Sequence, residues 1–273
     1  MKKIYLVPNI ITAFSLACGL FVIFKVNMIE PGMGTYQALQ VSAYLLLLAA
    51  FADWVDGAIA RAMHAESEFG FLFDSLSDAI TFGVAPSVLL LKNLSLEQGT
   101  TLSFYAVIGA MLFSICGVLR LVRFNVAESA AKEQKAPKKK HFTGLPIPAA
   151  ALAAISANLL FVDPRLTFLT GSSEMVKTIV LSSLMVVLGF FMVSRFKFPS
   201  AKVLHFRVPS FYLVFITVVV ALFLLYGGLY FFPITLAVLT WGYVIVGWVL
   251  AIIRMIAGKK SKTLEEFEPE EDD

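Results

Sequence analysis

The sequence predicts an all-α, polytopic membrane helical bundle of about eight transmembrane helices, and three observations predict it. Of its 273 residues, 59% are hydrophobic and 15% charged, and mean hydropathy is +0.83. That is too apolar for a soluble domain, which must show a polar face to water. The apolar residues also gather into stretches close to the roughly 20 residues that a helix needs to cross a bilayer core. These lie near residues 8–28, 36–62, 69–92, 102–126, 145–162, 176–194, 209–226 and 229–253. Finally, the alternating pattern of a membrane barrel is absent, which leaves helices to satisfy the backbone within lipid.

The first stretch follows a basic start, Met1-Lys2-Lys3, and contains small residues between Ala13 and Ala17, as a secretory signal does. It runs on to about Met28 and carries Pro8-Asn9 at its mouth, which suits a retained span better. Cys18 and Cys116 fall inside the first and fourth stretches and read as small hydrophobes, not as a disulfide or metal pair. The second and third stretches are joined by the polar run 62–69, a short turn that makes them antiparallel neighbours. The fourth ends at Arg120-Leu121-Val122-Arg123-Phe124-Asn125, and the fifth opens at Gly144-Leu145-Pro146-Ile147-Pro148. With no internal repeat and no dividing linker, residues 1–258 form a single integral membrane domain. Residues 259–273, dense in Glu and Asp, form a charged, disordered cytoplasmic tail.

An inside N-terminus places 18 of the 22 Lys and Arg residues on one face, leaving Lys25, Lys92, Arg165 and Lys177 on the other. By the positive-inside rule both termini are cytoplasmic, in a cell inner or plasma membrane. The run Lys138 to Lys140 then meets anionic lipid head groups and not nucleic acid. His64, His141 and His205 fall in loops without the spacing of a metal site and read as solvated.

Four carboxylates stand where lipid should forbid them: Asp53, Asp56, Asp74 and Asp78, within or at the ends of the second and third stretches. Each costs about 2.5–3.5 kcal/mol at a span centre, on the order of 10 kcal/mol for four without partners. Arg61 is the one permanent cation nearby in sequence, and it cannot neutralise all four. Asp53 and Asp56 are three residues apart and Asp74 and Asp78 four apart, so each pair shares a helix face. The antiparallel turn sets the two pairs at similar depth. Convergent carboxylate oxygens favour hard cations such as magnesium or manganese, and four carboxylates suit two ions better than one. Gly57, Ala58, Ala60, Ala62 and Gly70 interleave with the acids. Small residues there either pack helices closely or open a ligand cleft.

Asp56-Gly57-x-x-Ala60-Arg61, eight residues, then Gly70-x-x-x-Asp74-x-x-x-Asp78, with Asp53 three positions before, resembles the signature of the CDP-alcohol phosphotransferase family at every fixed position. The resemblance covers the first five or six spans, which implies a six-helix catalytic core extended by two C-terminal helices. It implies an enzyme in which two metal ions bound to the acids grip the donor's pyrophosphate. An alcohol then attacks the lipid-side phosphorus and CMP leaves. It assigns Asp53, Asp56 and Asp74 mainly metal roles, and gives Asp78 both a metal contact and the part of general base. Gly57, Ala60, Arg61 and Gly70 would bind the CDP-lipid. Asn9 and Thr12 would either contact the nucleotide or cap and pack the helix start. A homodimer is also implied.

Thr81-Phe82-Gly83-Val84-Ala85-Pro86, the Arg120 to Asn125 run and the Gly144 to Pro148 run are similar to those of the membrane-embedded phosphatidylserine synthase branch. This implies CDP-diacylglycerol and L-serine as substrates. Arg120 and Arg123 then either bind the serine carboxylate or anchor a span end. Glycerol 3-phosphate or inositol as acceptor stays open, because the signature positions concern donor and metals. A cation-coupled transporter is the rival from another class, since intramembrane acids also mark ion pathways. Against it, the acids lie toward one edge and no inverted repeat is visible.

Overall fold

A computed structural model describes residues 6–28, 35–63, 67–94, 96–97, 99–133, 142–194, 196–198 and 225–257. Helix α1 (Leu6–Asn27) is followed by α2 (Thr35–Ala62), α3 (Glu68–Asp78), a π-helical turn (Ala79–Val84) and α4 (Ala85–Leu94). Then come α5 (Thr101–Glu133), α6 (Ile147–Leu160), the single turn α7 (Thr167–Thr170), α8 (Glu174–Val193) and α9 (Phe232–Ala257). Residues 225–230 are also helical. Two short strands, β1 (Phe142–Thr143) and β2 (Lys197–Phe198), pair antiparallel with Phe142 opposite Phe198.

Among the described residues, six helical segments are long and apolar enough to cross a membrane: Val7–Asn27, Tyr36–Ala62, Glu68–Leu94, Thr101–Ala130, Glu174–Val193 and Phe232–Ile253. The chain is therefore a polytopic helical bundle. The expected seventh stretch lies, up to residue 224, outside the described residues, as do the Lys138 to Lys140 run, the three histidines and the 259–273 tail. The fifth stretch forms α6, a helix of 14 residues. At 1.5 Å per residue that is about 21 Å, short of a hydrocarbon core of about 30 Å. Its length has local causes. Pro146 and Pro148 set its start, where a missing N–H is harmless, and it ends at Leu160, ahead of the turns around Asp163. Ile147, Ala150, Ala151, Ala153, Ala154 and Ile155 are all buried, so α6 is a central strut with α2, α8 and α9 around it.

The core around that strut is built from Phe82, Phe113, Leu145, Ile147, Leu181, Met185 and Leu188. Large apolar side chains such as Phe14, Phe24, Phe51, Trp54, Phe104 and Phe190 face outward, as expected when the solvent is lipid. With no hydrophobic drive between helices in lipid, close approach relies on small residues. At Gly19 on α1, a Cβ would stand 2.8 Å from the Cα of Thr81. At Gly109 on α5, it would stand 2.9 Å from the carbonyl oxygen of Ser182 on α8.

The third span is not uniform. Its α-helical ladder gives way after Asp78 to the π-helical turn, where Ala85 N–H donates to the Ile80 carbonyl. The Ser114 hydroxyl of α5 donates to the Gly83 carbonyl at 2.9 Å, and the Thr81 hydroxyl donates to the Ser15 carbonyl of α1 at 3.4 Å. Such turns recur at functional positions. Here the turn lets one span present Asp74 and Asp78 before it changes its rotational register. At the other end, Ser67 caps α3 by accepting from Gly70 N–H at 3.0 Å, which satisfies one of the orphan donors of the helix start.

Candidate metal centre

Helices α2 and α3 each deliver a pair of carboxylates to one place, with α1 packed against both. One oxygen from each of Asp53, Asp56 and Asp74 lies within 4.8 Å of the others. Asp78 joins the cluster one turn further along α3, where Asp53 is in side-chain hydrogen-bonding reach of both Asp74 and Asp78. All four sequence-predicted acids thus converge, three of them in a set that could coordinate a divalent metal.

Helix α1 orients this set. Asp56 is only 5% exposed and accepts from the Thr12 hydroxyl at 2.5 Å, and that hydroxyl also lies 3.1 Å from the Pro8 carbonyl. The Ser77 hydroxyl donates to the Thr12 carbonyl at 3.4 Å, stitching α3 to α1 at the level of the acids. On the opposite flank the Ser75 hydroxyl donates to Asn125 Oδ1 at 3.0 Å, tying α3 to α5.

The small residues and Arg61 stand beside the acids along α2 and α3. A Cβ on Gly57 would meet the Arg61 guanidinium at 3.3 Å, and one on Gly70 would meet Asn9 Oδ1 at 3.0 Å. Both glycines therefore keep space open beside polar side chains. Arg61 is exposed and Ala60 half-buried, with Arg61 in electrostatic contact with Asp56. Asn9 Nδ2 is buried and has no hydrogen-bond partner.

The residues also pass a test of fit to a metal. Asp74 Oδ1 is buried without a hydrogen-bond partner, an arrangement costing about 1–3 kcal/mol or more for a charged group unless something else satisfies it. The donor set is oxygen only, which suits a hard divalent cation and disfavours zinc or copper.

The two arginines of α5 part company. Arg120 is 8% exposed and within electrostatic range of Asp78, with its Nε buried and without a hydrogen-bond partner. Arg123 points to the end of α8, where Nη1 donates to the Val193 carbonyl at 2.6 Å and Nη2 reaches the Met192 and Ser194 carbonyls at 3.4 Å. A cation there satisfies the last carbonyls of a helix and complements its dipole. Arg123→Ala is accordingly expected to lower stability by about 1.5–3 kcal/mol, the range for hydrogen bonds from a charged group. Thermal unfolding in detergent checks it, and unchanged stability would show that these bonds do not hold α5 to α8.

Spacing does not show that Thr12 reaches Asp56, or that Ser75 reaches Asn125, because both contacts join distant segments. The π-helical turn has no composition signal of its own. Tyr243, on α9, is within electrostatic range of Arg120.

A helical membrane bundle with an oxygen-only carboxylate cluster on two adjacent spans defines a class, that of integral membrane proteins with a candidate intramembrane site for a divalent metal. The family profile described as CDP-alcohol phosphatidyltransferase matches residues 5–180, and the chain belongs to that family and is a transferase of its kind. A Helicobacter pylori protein named CDP-diacylglycerol–serine O-phosphatidyltransferase is 33% identical over 216 residues, covering 79% of this chain and 81% of its own length. A protein of the same name from a second Helicobacter pylori strain is 30% identical over 272 residues, 95% of this chain and 98% of its own. One from Bacillus subtilis is 31% identical over 196 residues, 72% and 91% respectively.

Proposed function

We propose that this protein transfers the phosphatidyl group of CDP-diacylglycerol to the hydroxyl of L-serine, giving phosphatidylserine and CMP. The observation that carries the serine assignment is the buried Arg120 guanidinium, whose Nε has no hydrogen-bond partner and which lies within electrostatic range of Asp78, a cation suited to an acceptor carboxylate near a candidate base. The names of the relatives support the same acceptor.

Asp53, Asp56 and Asp74, with Asp78 in contact, would hold the metal, two ions of magnesium or manganese in this reading. When bound, the metal neutralises the donor pyrophosphate and stabilises the charge that develops on departing CMP. The chain's own residues do the rest. Arg61, exposed at the mouth, donates to donor phosphate oxygens, and Asn9 offers its buried amide to the nucleotide side. Gly57 and Gly70 let the CDP-lipid approach the backbone. Arg120 fixes the serine carboxylate and so positions the hydroxyl. Asp78 accepts the hydroxyl proton as the serine oxygen bonds to the lipid-side phosphorus. The bond from that phosphorus to the bridging oxygen breaks, and its electron pair leaves with CMP.

The charge bias of the loops supports cytoplasmic termini and a cytoplasmic mouth, the side on which CDP-activated lipid and serine would meet. The family resemblance supports a homodimer.

The test is CMP release by the purified protein with CDP-diacylglycerol and magnesium or manganese, comparing serine, glycerol 3-phosphate and inositol. Serine-dependent release that is lost on chelation is expected. Release with another acceptor alone would keep the family chemistry and overturn the serine assignment.

A further inference from the structure

The π-helical turn of the third span takes up one residue more than an α-helix would. Phe69, Leu72, Leu76 and Val84 are exposed along this span, while Ser77, Thr81, Phe82 and Gly83 are buried. Two turns of α-helix use about 7 residues, so a continuous helix with Leu76 outward would next turn Gly83 outward. Val84 stands there instead. Ala85 N–H donates to the Ile80 carbonyl, five residues back, and the wider turn absorbs the extra residue.

That residue decides where the acids point. Asp74 and Asp78 follow the exposed Leu72 and Leu76 by two positions, about 200° around the helix, and so face inward. If the α-helical ladder ran straight back from Val84, Ser77 and Phe73 would take the outward positions. Asp78 and Asp74 would then lie about 100° from that line, on a flank of the span. Ser77 would also leave the Thr12 carbonyl, to which it now donates at 3.4 Å.

Two residues outside the turn keep it open. Pro86 has no N–H, and its ring opposes the carbonyl four residues back, that of Phe82, so the ordinary ladder is blocked where the turn ends. From α5, the Ser114 hydroxyl donates to the Gly83 carbonyl at 2.9 Å. It also stands 2.9 Å from the Ser87 hydroxyl, which donates to the Ala110 carbonyl at 2.9 Å. A Cβ on Gly117 would come within 3.7 Å of the Gly83 Cα, so α5 is close enough to grip the backbone here. From these contacts we infer that Pro86 and Ser114 are positioning residues of the metal centre, which keep the turn that aims Asp74 and Asp78 at the carboxylates of α2. The inference rests on the reading of these acids as metal ligands.

The experiment is manganese binding to the full chain in detergent, without substrate, followed by electron paramagnetic resonance of the free ion. It compares wild type, the double variant Pro86→Ala with Ser114→Ala, and Ser114→Thr. Alanine at position 86 returns the missing donor and alanine at position 114 removes the grip, so the double variant is free to close the turn. Its manganese Kd should rise roughly tenfold, as when a metal ligand loses its outer support. Thermal unfolding without metal should be no lower than in wild type, because a helical hydrogen bond gained at position 86 offsets the one lost at Gly83. Ser114→Thr, which keeps the hydroxyl, should bind manganese as wild type does. Unchanged binding in the double variant overturns the inference, and so does weaker binding with a lowered unfolding temperature, which marks a packing defect. Weaker binding in Ser114→Thr overturns it too, since the hydroxyl is still present. Wild type that binds no manganese overturns the metal reading of the acids, and the inference with it.

Discussion

Asp78→Asn protein is expected to bind CDP-diacylglycerol and yet to release no CMP above background. The substitution keeps the size and shape of the side chain in a tightly packed stretch, where Ser77 and Thr81 on either side are buried, so the fold should survive it. What it removes is the capacity to take a proton. In the proposed reaction the serine hydroxyl is a poor nucleophile until its proton leaves, and a positioned base contributes about 10²–10⁴-fold to such a step. The amide also replaces a charge that faces Arg120, so the guanidinium loses its partner and holds the acceptor less well. Donor binding should persist because Asp53, Asp56 and Asp74 form their own oxygen set. Single-turnover CMP release and equilibrium binding of CDP-diacylglycerol measure the two halves. Normal turnover would take the role of base away from Asp78, and lost donor binding would move it wholly into the metal set.

Much of the site is legible in the amino-acid sequence, and the reason is energetic. A carboxylate in a lipid-embedded helix is so costly that its position announces a compensating partner, and spacing of three and four residues puts each pair on one face. The convergence of Asp53, Asp56 and Asp74 follows from those two facts and a short turn. Helix positions were legible too, because long apolar stretches leave the backbone little alternative in lipid. What stayed hidden depends on contacts between segments far apart in the chain. Thr12 lies 44 residues from Asp56, and a threonine near a helix start ordinarily reads as a cap or as packing. Arg120 and Arg123 belong to one short motif and lie three residues apart on α5, yet Arg120 is within electrostatic range of Asp78 while Arg123, nearly a turn further along, reaches the carbonyls at the end of α8. The π-helical turn is likewise fixed by its neighbours, Ser15 on one side and Ser114 on the other, and not by the residues within it.

Thr12→Val should raise the metal concentration needed for half-maximal CMP release by roughly 10- to 100-fold, the effect typical of removing an outer partner of a metal ligand, and leave the serine requirement unchanged. Valine matches threonine in shape, so the packing of α1 against α2 and α3 is preserved while the donor to Asp56 is lost. Asp56 is almost fully enclosed, and its carboxylate would then have to adopt its ligating orientation unaided, at the moment when binding requires it. Thr12→Ser, which restores the hydroxyl, should recover most of the wild-type metal affinity. A metal titration of CMP release at saturating substrates makes the comparison, with a CDP-diacylglycerol titration at saturating metal beside it. If the donor requirement rises and the metal requirement does not, Thr12 contacts the nucleotide and its bond to Asp56 is incidental. If neither moves, the helix backbone alone fixes Asp56, and the role of α1 at the site shrinks to packing around Gly19.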